Sequence, residues 1–236
     1  MTVFLKLVAR LPLPILHGLG ILLGCVVYLA PGRHSGRMRT NIFSSGLCKD
    51  ARACRRLLHQ SIAESGKAFM ELIAFWLCPY EKVMKLVKGT TGWEHIDAAL
   101  AAGKGLIIFG PHLGGFEIIS QYYAQHHPFT AMYKPPRNPR LGPLMLAGRQ
   151  RGLCRLVPTD MSGVRALLAA LKRGEGIGML PDQVASSGDG VWAPFFGRQA
   201  FTPTLVASLQ RGLGEGYEVR TVALRPSFVR RGLLRS

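Results

Sequence analysis

The sequence predicts an α/β fold: a mostly parallel central sheet covered by helices, with an N-terminal membrane-associated helix. Three observations carry this reading. Short apolar runs bounded by turn residues alternate with helical patterns after Gly105, as in covered parallel sheets. The stretch from Leu11 to Ala30 holds no charged residue over 20 positions, about the length needed to cross a bilayer. The 236-residue chain is 48% hydrophobic, and its 28 Gly and 15 Pro are spread along its length. That composition excludes disorder and marks many short connections. The expected organisation is an anchor and basic flank over residues 1–40, then a single α/β domain over residues 41–236, atypical after about residue 204.

In chain order, the N-terminal stretch LPLPILHGLGILLGCVVYLA follows Lys6 and Arg10 and precedes Arg33, Arg37 and Arg39. Pro12, Pro14, Gly18, Gly20 and Gly24 weaken it as a straight helix, so an interfacial segment and a full span both remain open. Basic residues flank both ends, which leaves its orientation unset. Between Asp50 and Leu86, apolar residues including Leu58, Ile62, Phe69, Ile73 and Trp76 recur at helical spacing. They predict one or two amphipathic helices covering a sheet. The runs GLIIFG, TAMY, RLVP and GIGML then read as strands. Between the last two, Val164, Leu167, Leu168 and Leu171 form one helical stripe, with Thr159 or Asp160 as its cap and Gly174 as its end.

The 30 Lys and Arg against 13 Asp and Glu give a formal charge of +17, which favours polyanionic partners. A nucleic-acid reader would carry a basic helix, a zinc finger or an aromatic ribonucleoprotein motif. None is present, so anionic phospholipid membrane is the expected partner and nucleic acid is not. Cys25, Cys48, Cys54, Cys78 and Cys154 lack CxxC or metal spacing. They read as buried thiols of a reducing compartment, with no disulfide and no metal site.

The segment GLIIFGPHLGGFEIIS places His112 just after a strand and Glu117 at the head of a helix. Open α/β sheets build their sites at the carboxyl ends of strands. Gly114 and Gly115 permit a tight turn, which would let the two side chains approach each other. A neutral imidazole accepts a proton as a general base, and a carboxylate on its other ring nitrogen fixes the tautomer and stabilises the imidazolium. His112 suits the first task and Glu117 the second. The alternative is a pair that only satisfies buried backbone groups.

Taken with the blocks GWEHIDAALAAGKG, GPHLGGFE, MYKPPRNPRL, GRQRG, MLPDQ and APFFGRQAFTPT, the sequence resembles the late lauroyl and myristoyl acyltransferases of lipid A biosynthesis. These sit within the larger group of glycerolipid-type H(x)4D/E acyltransferases. The resemblance runs roughly from Gly89 to Thr204, and the N-terminal apolar stretch also fits. It departs at Gly115 and Phe116, where the family usually has Asn-Trp before the acid, and after Thr204, where the chain reads as shortened.

The resemblance implies an α/β acyltransferase that moves a fatty acyl chain from acyl carrier protein, or coenzyme A, to a hydroxyl of a lipid A precursor. The place implied is the cytoplasmic face of a bacterial inner membrane, with the acyl thioester as co-substrate and no cofactor. His112 matches the family's base and Glu117 its partner. Arg149, with Arg151 as its neighbour, is implied to stabilise the thioester oxyanion or to bind phosphate. Lys134 and Arg137 either contact acceptor phosphates or are solvated loop charges. Asp182 and Gln183 either order the site through hydrogen bonds or cap a turn, and Phe195, Phe196 and Gly197 shape an apolar wall. The rival readings are an acyltransferase acting on a glycerophospholipid or mannosylated lipid, and a shortened non-catalytic membrane-associated relative.

Overall fold

The computed structural model describes residues 2–30, 32–136, 138–185, 188–195, 197–213 and 221–223. The chain divides into two compact units, Met1–Cys78 and Pro79–Ser236. The first unit holds together because the long helix after Asp50 packs on the N-terminal apolar helix.

The first unit is helical: α1 (Thr2–Ala9), α2 (Leu13–Leu29), α3 (Arg33–Phe43) and α4 (Ala51–Leu77). Pro14 sits in the first turn of α2, where its missing N–H removes no helical bond. Asp50 caps α4 by accepting from the Ala53 amide at 2.7 Å. α2 lies along α4 with their backbones in close approach. A Cβ on Gly20 would stand 2.8 Å from the Gly66 carbonyl oxygen, and Cβ atoms on Gly24 or Gly66 would meet the facing backbone as well. Glycines four apart on one helix are thus what lets it sit against the other.

Leu16, Met70 and Ala74 are buried in this seam, and His17 Nε2 bonds Glu71 Oε1 at 2.8 Å. The opposite face of α2, with Leu22, Val26 and Leu29, is exposed. Among the described residues no single helix is long and apolar enough to cross a membrane, though α2 and α3 together pass that test as a pair bent by 98°. Cys48 and Cys54 are joined as a disulfide, with Cα atoms 5.2 Å apart. This corrects the expectation that all five cysteines are thiols: the turn capped by Asp50 brings the two together. Cys25 is exposed rather than buried.

The second unit begins with α5 (Tyr80–Met84) and α6 (Trp93–Ala101), then β1 (Leu106–Phe109), α7 (Glu117–His126) and β2 (Phe129–Tyr133). A 3₁₀ turn at Pro139–Leu141 leads into α8 (Gly142–Arg149), β3 (Cys154–Pro158), α9 (Met161–Lys172) and β4 (Gly176–Met179). A hairpin of β5 (Gly190–Phe195) and β6 (Arg198–Pro203), then α10 (Leu205–Leu213) and β7 (Thr221–Ala223), complete it. The five-stranded sheet has the order β3-β2-β4-β1-β7, and every described pairing in it is parallel.

The period of two explains the layers. From β1, Leu106 and Ile108 enter a core with Ile96, Tyr123 and Phe129. Ile107 faces the other way, into a core with Leu167, Leu171, Ile177 and Leu209. Helices thus cover both faces, and LIIF is apolar throughout. Asp160 caps α9, accepting from the amides of Ser162 at 2.8 Å and Gly163 at 3.2 Å. All four predicted strands form. β7, beyond the expected end of the resemblance, adds to the sheet beside β1, while the GEGYEVR stretch lies outside the described residues.

Candidate active site

β1 and β4 are neighbours, with Phe109 in register with Met179. His112 stands three residues past the one and Asp182 three past the other, so equal overhangs at one sheet end bring the two side chains together. His112 Nδ1 bonds Asp182 Oδ1 at 2.7 Å, and the His112 backbone N–H donates to Asp182 Oδ2 at 2.8 Å. One carboxylate therefore fixes both the ring and the loop that carries it. The Phe116 ring lies edge-on to the imidazole, with centroids 4.9 Å apart.

Partial burial pushes the Asp182 carboxyl up, but the two hydrogen bonds from His112 and its ring charge outweigh that, holding it below the usual carboxylate range. Asp182 is therefore ionised at neutral pH and can only accept. The Nδ1 must then carry the proton, which leaves Nε2 as the basic nitrogen. Both side chains remain about a third exposed, 30% for His112 and 33% for Asp182, so a substrate in solvent or at a lipid surface can reach the ring.

The carboxylate that bonds Nδ1 is that of Asp182, whereas the H(x)4E spacing points to Glu117. Glu117 opens α7 from the first turn, where the helix dipole favours an acid. It is buried at 4% exposure. Its carboxylate is gripped at both oxygens by Arg149, from the last turn of α8: Nε donates to Oε2 at 2.9 Å, and Nη2 donates to Oε1. The reason is geometric. Gly114 adopts φ +58°, a left-handed turn that starts α7 at Glu117 and sends its side chain into the interior toward α8. A buried carboxylate needs such a partner, and a guanidinium fork fits both oxygens. Burial pushes the neighbouring Cys154 thiol up to about 12, with the Glu117 charge adding and the Arg149 charge opposing.

Of the other anticipated residues, Arg151 turns back on α8, its Nε donating to the Ala147 carbonyl at 3.4 Å. Lys134 and Gln183 are exposed. Arg137 and Phe196 lie outside the described residues. Phe195 is on the hairpin, 61% exposed. No cluster of three or more His, Cys, Asp or Glu suited to a metal occurs among the described residues.

Comparison with known proteins places these residues in context. The family model for bacterial lipid A biosynthesis acyltransferase matches residues 1–228, so the likeness extends on both sides of Gly89–Thr204. The lipid A biosynthesis lauroyltransferase of Escherichia coli (strain K12) is 26% identical over 211 residues, covering 89% of this chain and 68% of that protein. The palmitoleoyltransferase of the same organism is 24% identical, covering 79% of this chain and 60% of its own length. A lipid A biosynthesis acyltransferase of Haemophilus influenzae is 34% identical over 109 residues, 45% of this chain and 33% of that protein. The chain thus spans about two thirds or less of the curated relatives it matches.

Proposed function

The chain belongs to the bacterial lipid A biosynthesis acyltransferase family, and from that membership we propose that it transfers a fatty acyl chain from a thioester to a hydroxyl of a lipid A precursor. The donor in this reading is acyl carrier protein or coenzyme A, and the place is the cytoplasmic face of the bacterial inner membrane. The observation that carries the reading is the His112–Asp182 pair, bonded at 2.7 Å across the ends of two neighbouring strands.

A hydroxyl is too weak an acid to attack a thioester unaided. His112 Nε2 takes its proton as the new carbon–oxygen bond forms, and Asp182 balances the imidazolium that results. The tetrahedral intermediate then collapses, the carbon–sulfur bond breaks, and His112 returns its proton to the departing thiolate. The acceptor attacks directly, so no serine or cysteine nucleophile is needed. Glu117 orients Arg149 through both of its oxygens. In this reading the guanidinium serves the developing oxyanion or an acceptor phosphate, as a fixed charge-assisted donor. The +17 charge fits an acidic carrier, a phosphorylated acceptor and an anionic membrane.

The test is transfer from acyl carrier protein loaded with defined chains to a tetraacylated lipid A precursor, by protein purified in detergent, beside His112→Ala. Transfer that His112→Ala abolishes is expected. A folded protein that transfers to no acceptor in a His112-dependent way overturns the proposal.

A further inference from the structure

The β5–β6 hairpin stands apart from the five-stranded sheet, and its exposure is unusual. Successive residues of a strand point to opposite faces, yet Val191 and its neighbour Trp192 are both exposed, at 54% and 70%. Each face of β5 thus presents a large exposed apolar side chain. A two-stranded hairpin is marginal in water on its own. This one carries Trp192 against Phe201, with ring centroids 5.5 Å apart, and Phe195 opposite Arg198. From Gly190 to Thr204 there is no Asp or Glu.

The hairpin is also tied to the candidate site. Asp182 lies on the segment that follows β4, and three residues later the Ala185 amide donates to the Phe201 carbonyl at 3.3 Å. On the same loops, Leu113 beside His112, Leu180 and Val184 are exposed apolar side chains. Val191, Trp192 and Phe195 on the hairpin are exposed as well, and exposed apolar side chains in such number mark a contact surface.

We propose that this hairpin is a membrane-contact element, inserting Trp192 and Phe195 into the interface of an anionic phospholipid bilayer beside His112. The proposal rests on the acceptor being a lipid, as above, and adds where the second unit meets it. Three features select a bilayer as the occupant. Indole and phenyl rings beside a basic residue suit the headgroup boundary, where Arg198 reaches phosphates while the rings enter the acyl region. The stretch lacks acidic residues that an anionic surface would repel. Pro194 lacks the N–H that strand addition by a second copy would use, so edge pairing is blunted at that point.

The experiment uses the full chain in phosphatidylethanolamine–phosphatidylglycerol vesicles whose acyl chains carry bromine, reading tryptophan emission against unbrominated vesicles. Bromine should quench the wild type, and Trp192→Phe should lose the share of quenching that belongs to the hairpin. Equal quenching of the two proteins overturns the proposal. So does Trp192 emission that acyl carrier protein shields while bromine leaves it unchanged, or that is shielded in a lipid-free dimer. His112→Ala should keep the quenching. A protein that transfers nothing yet shows Trp192-dependent quenching therefore refutes the enzymatic reading and leaves this one standing.

A second arm uses Trp192→Ser, at a side chain 70% exposed and so tolerated by the fold. Transfer to acceptor embedded in vesicles should fall about ten-fold or more, the worth of burying one aromatic ring, while transfer to the same acceptor in detergent micelles should be unchanged. An equal loss in both settings refutes membrane contact.

Discussion

Asp182→Asn separates the two carboxylates that compete for the role of ring partner, because it keeps the shape of the side chain and removes its charge. In the wild type the Nδ1–H donates to an ionised carboxylate at 2.7 Å, and in the proposed mechanism the imidazolium formed during proton abstraction lies beside a full negative charge. With charge centres roughly 4 Å apart and an effective dielectric near 20, that attraction is about 4 kcal/mol. Both side chains are about a third exposed, so water screens part of it, and about 2 kcal/mol is the lower working figure. At about 1.4 kcal/mol per decade, kcat should fall between about 30-fold and 1,000-fold. KM for the acyl donor should move little, since the lost interaction grows only as charge develops. The assay is initial-rate transfer of labelled acyl chain, with kcat and KM resolved. If Asp182→Asn stays within about three-fold of wild type while Glu117→Gln falls by about a hundred-fold or more, the ring-orienting role returns to Glu117 and the geometry has been misread. Stability gives an independent check. The Asp182 carboxyl is depressed in the folded protein, so its contribution is complete above its unfolded value, near about 3.9. The contribution is lost as pH falls through the lower folded value. The Tm difference between wild type and Asp182→Asn should therefore narrow on acidification from neutral pH, and a difference constant with pH contradicts the argument.

Arg149→Met removes the guanidinium paired with the buried Glu117 carboxylate and should cost about 3–5 kcal/mol of stability, read by denaturant unfolding; adding Glu117→Gln should recover part of it, and a single variant as stable as wild type refutes the pairing. Gly66→Leu forces a side chain into the backbone of α2 at Gly20 and should destabilise the first unit by about 1–3 kcal/mol, seen as a lowered helical melting temperature; an unchanged melt places the α2–α4 seam elsewhere. Cys154, with its thiol raised to about 12, should resist iodoacetamide at pH 8 in the folded protein, where only about one thiol in ten thousand is ionised. It should react on unfolding, whereas exposed Cys25 should label at once; rapid labelling of Cys154 in the native state shows that it is not buried.

The strands and the cap at Asp160 were legible because their causes are local. LIIF is apolar at every position since helices lie on both faces, and the Asp160 cap satisfies amides two and three residues away. What a linear reading misses is set by partners distant in sequence. That α4 packs on α2 is not legible until Gly20, Gly24 and Gly66 are seen to meet, since glycine in a sequence signals a turn as readily as a close approach. Gly176 and Gly178 on β4 behave the same way: added Cβ atoms there would strike the rings of Tyr123 and Phe129, so two residues that weaken a strand on paper are what admit the aromatic core.

The site itself shows why spacing within one motif is a weaker guide than register between two. His112 and Glu117 are five residues apart, and that nearness suggested a bonded pair. The Gly114 turn then carries the glutamate into the interior, to a partner 32 residues further along the chain. Asp182 is 70 residues from His112, yet parallel pairing of β1 with β4 gives both the same overhang past Phe109 and Met179. A reader who places two strands side by side can count that overhang from the sequence alone: PH after LIIFG, and PD after GIGML. Neighbouring parallel strands deliver their C-terminal loops to one edge, so a base on one loop finds its carboxylate on the next strand's loop without any help from local spacing. The two carboxylates thus hold different partners, Asp182 the imidazole and Glu117 the guanidinium.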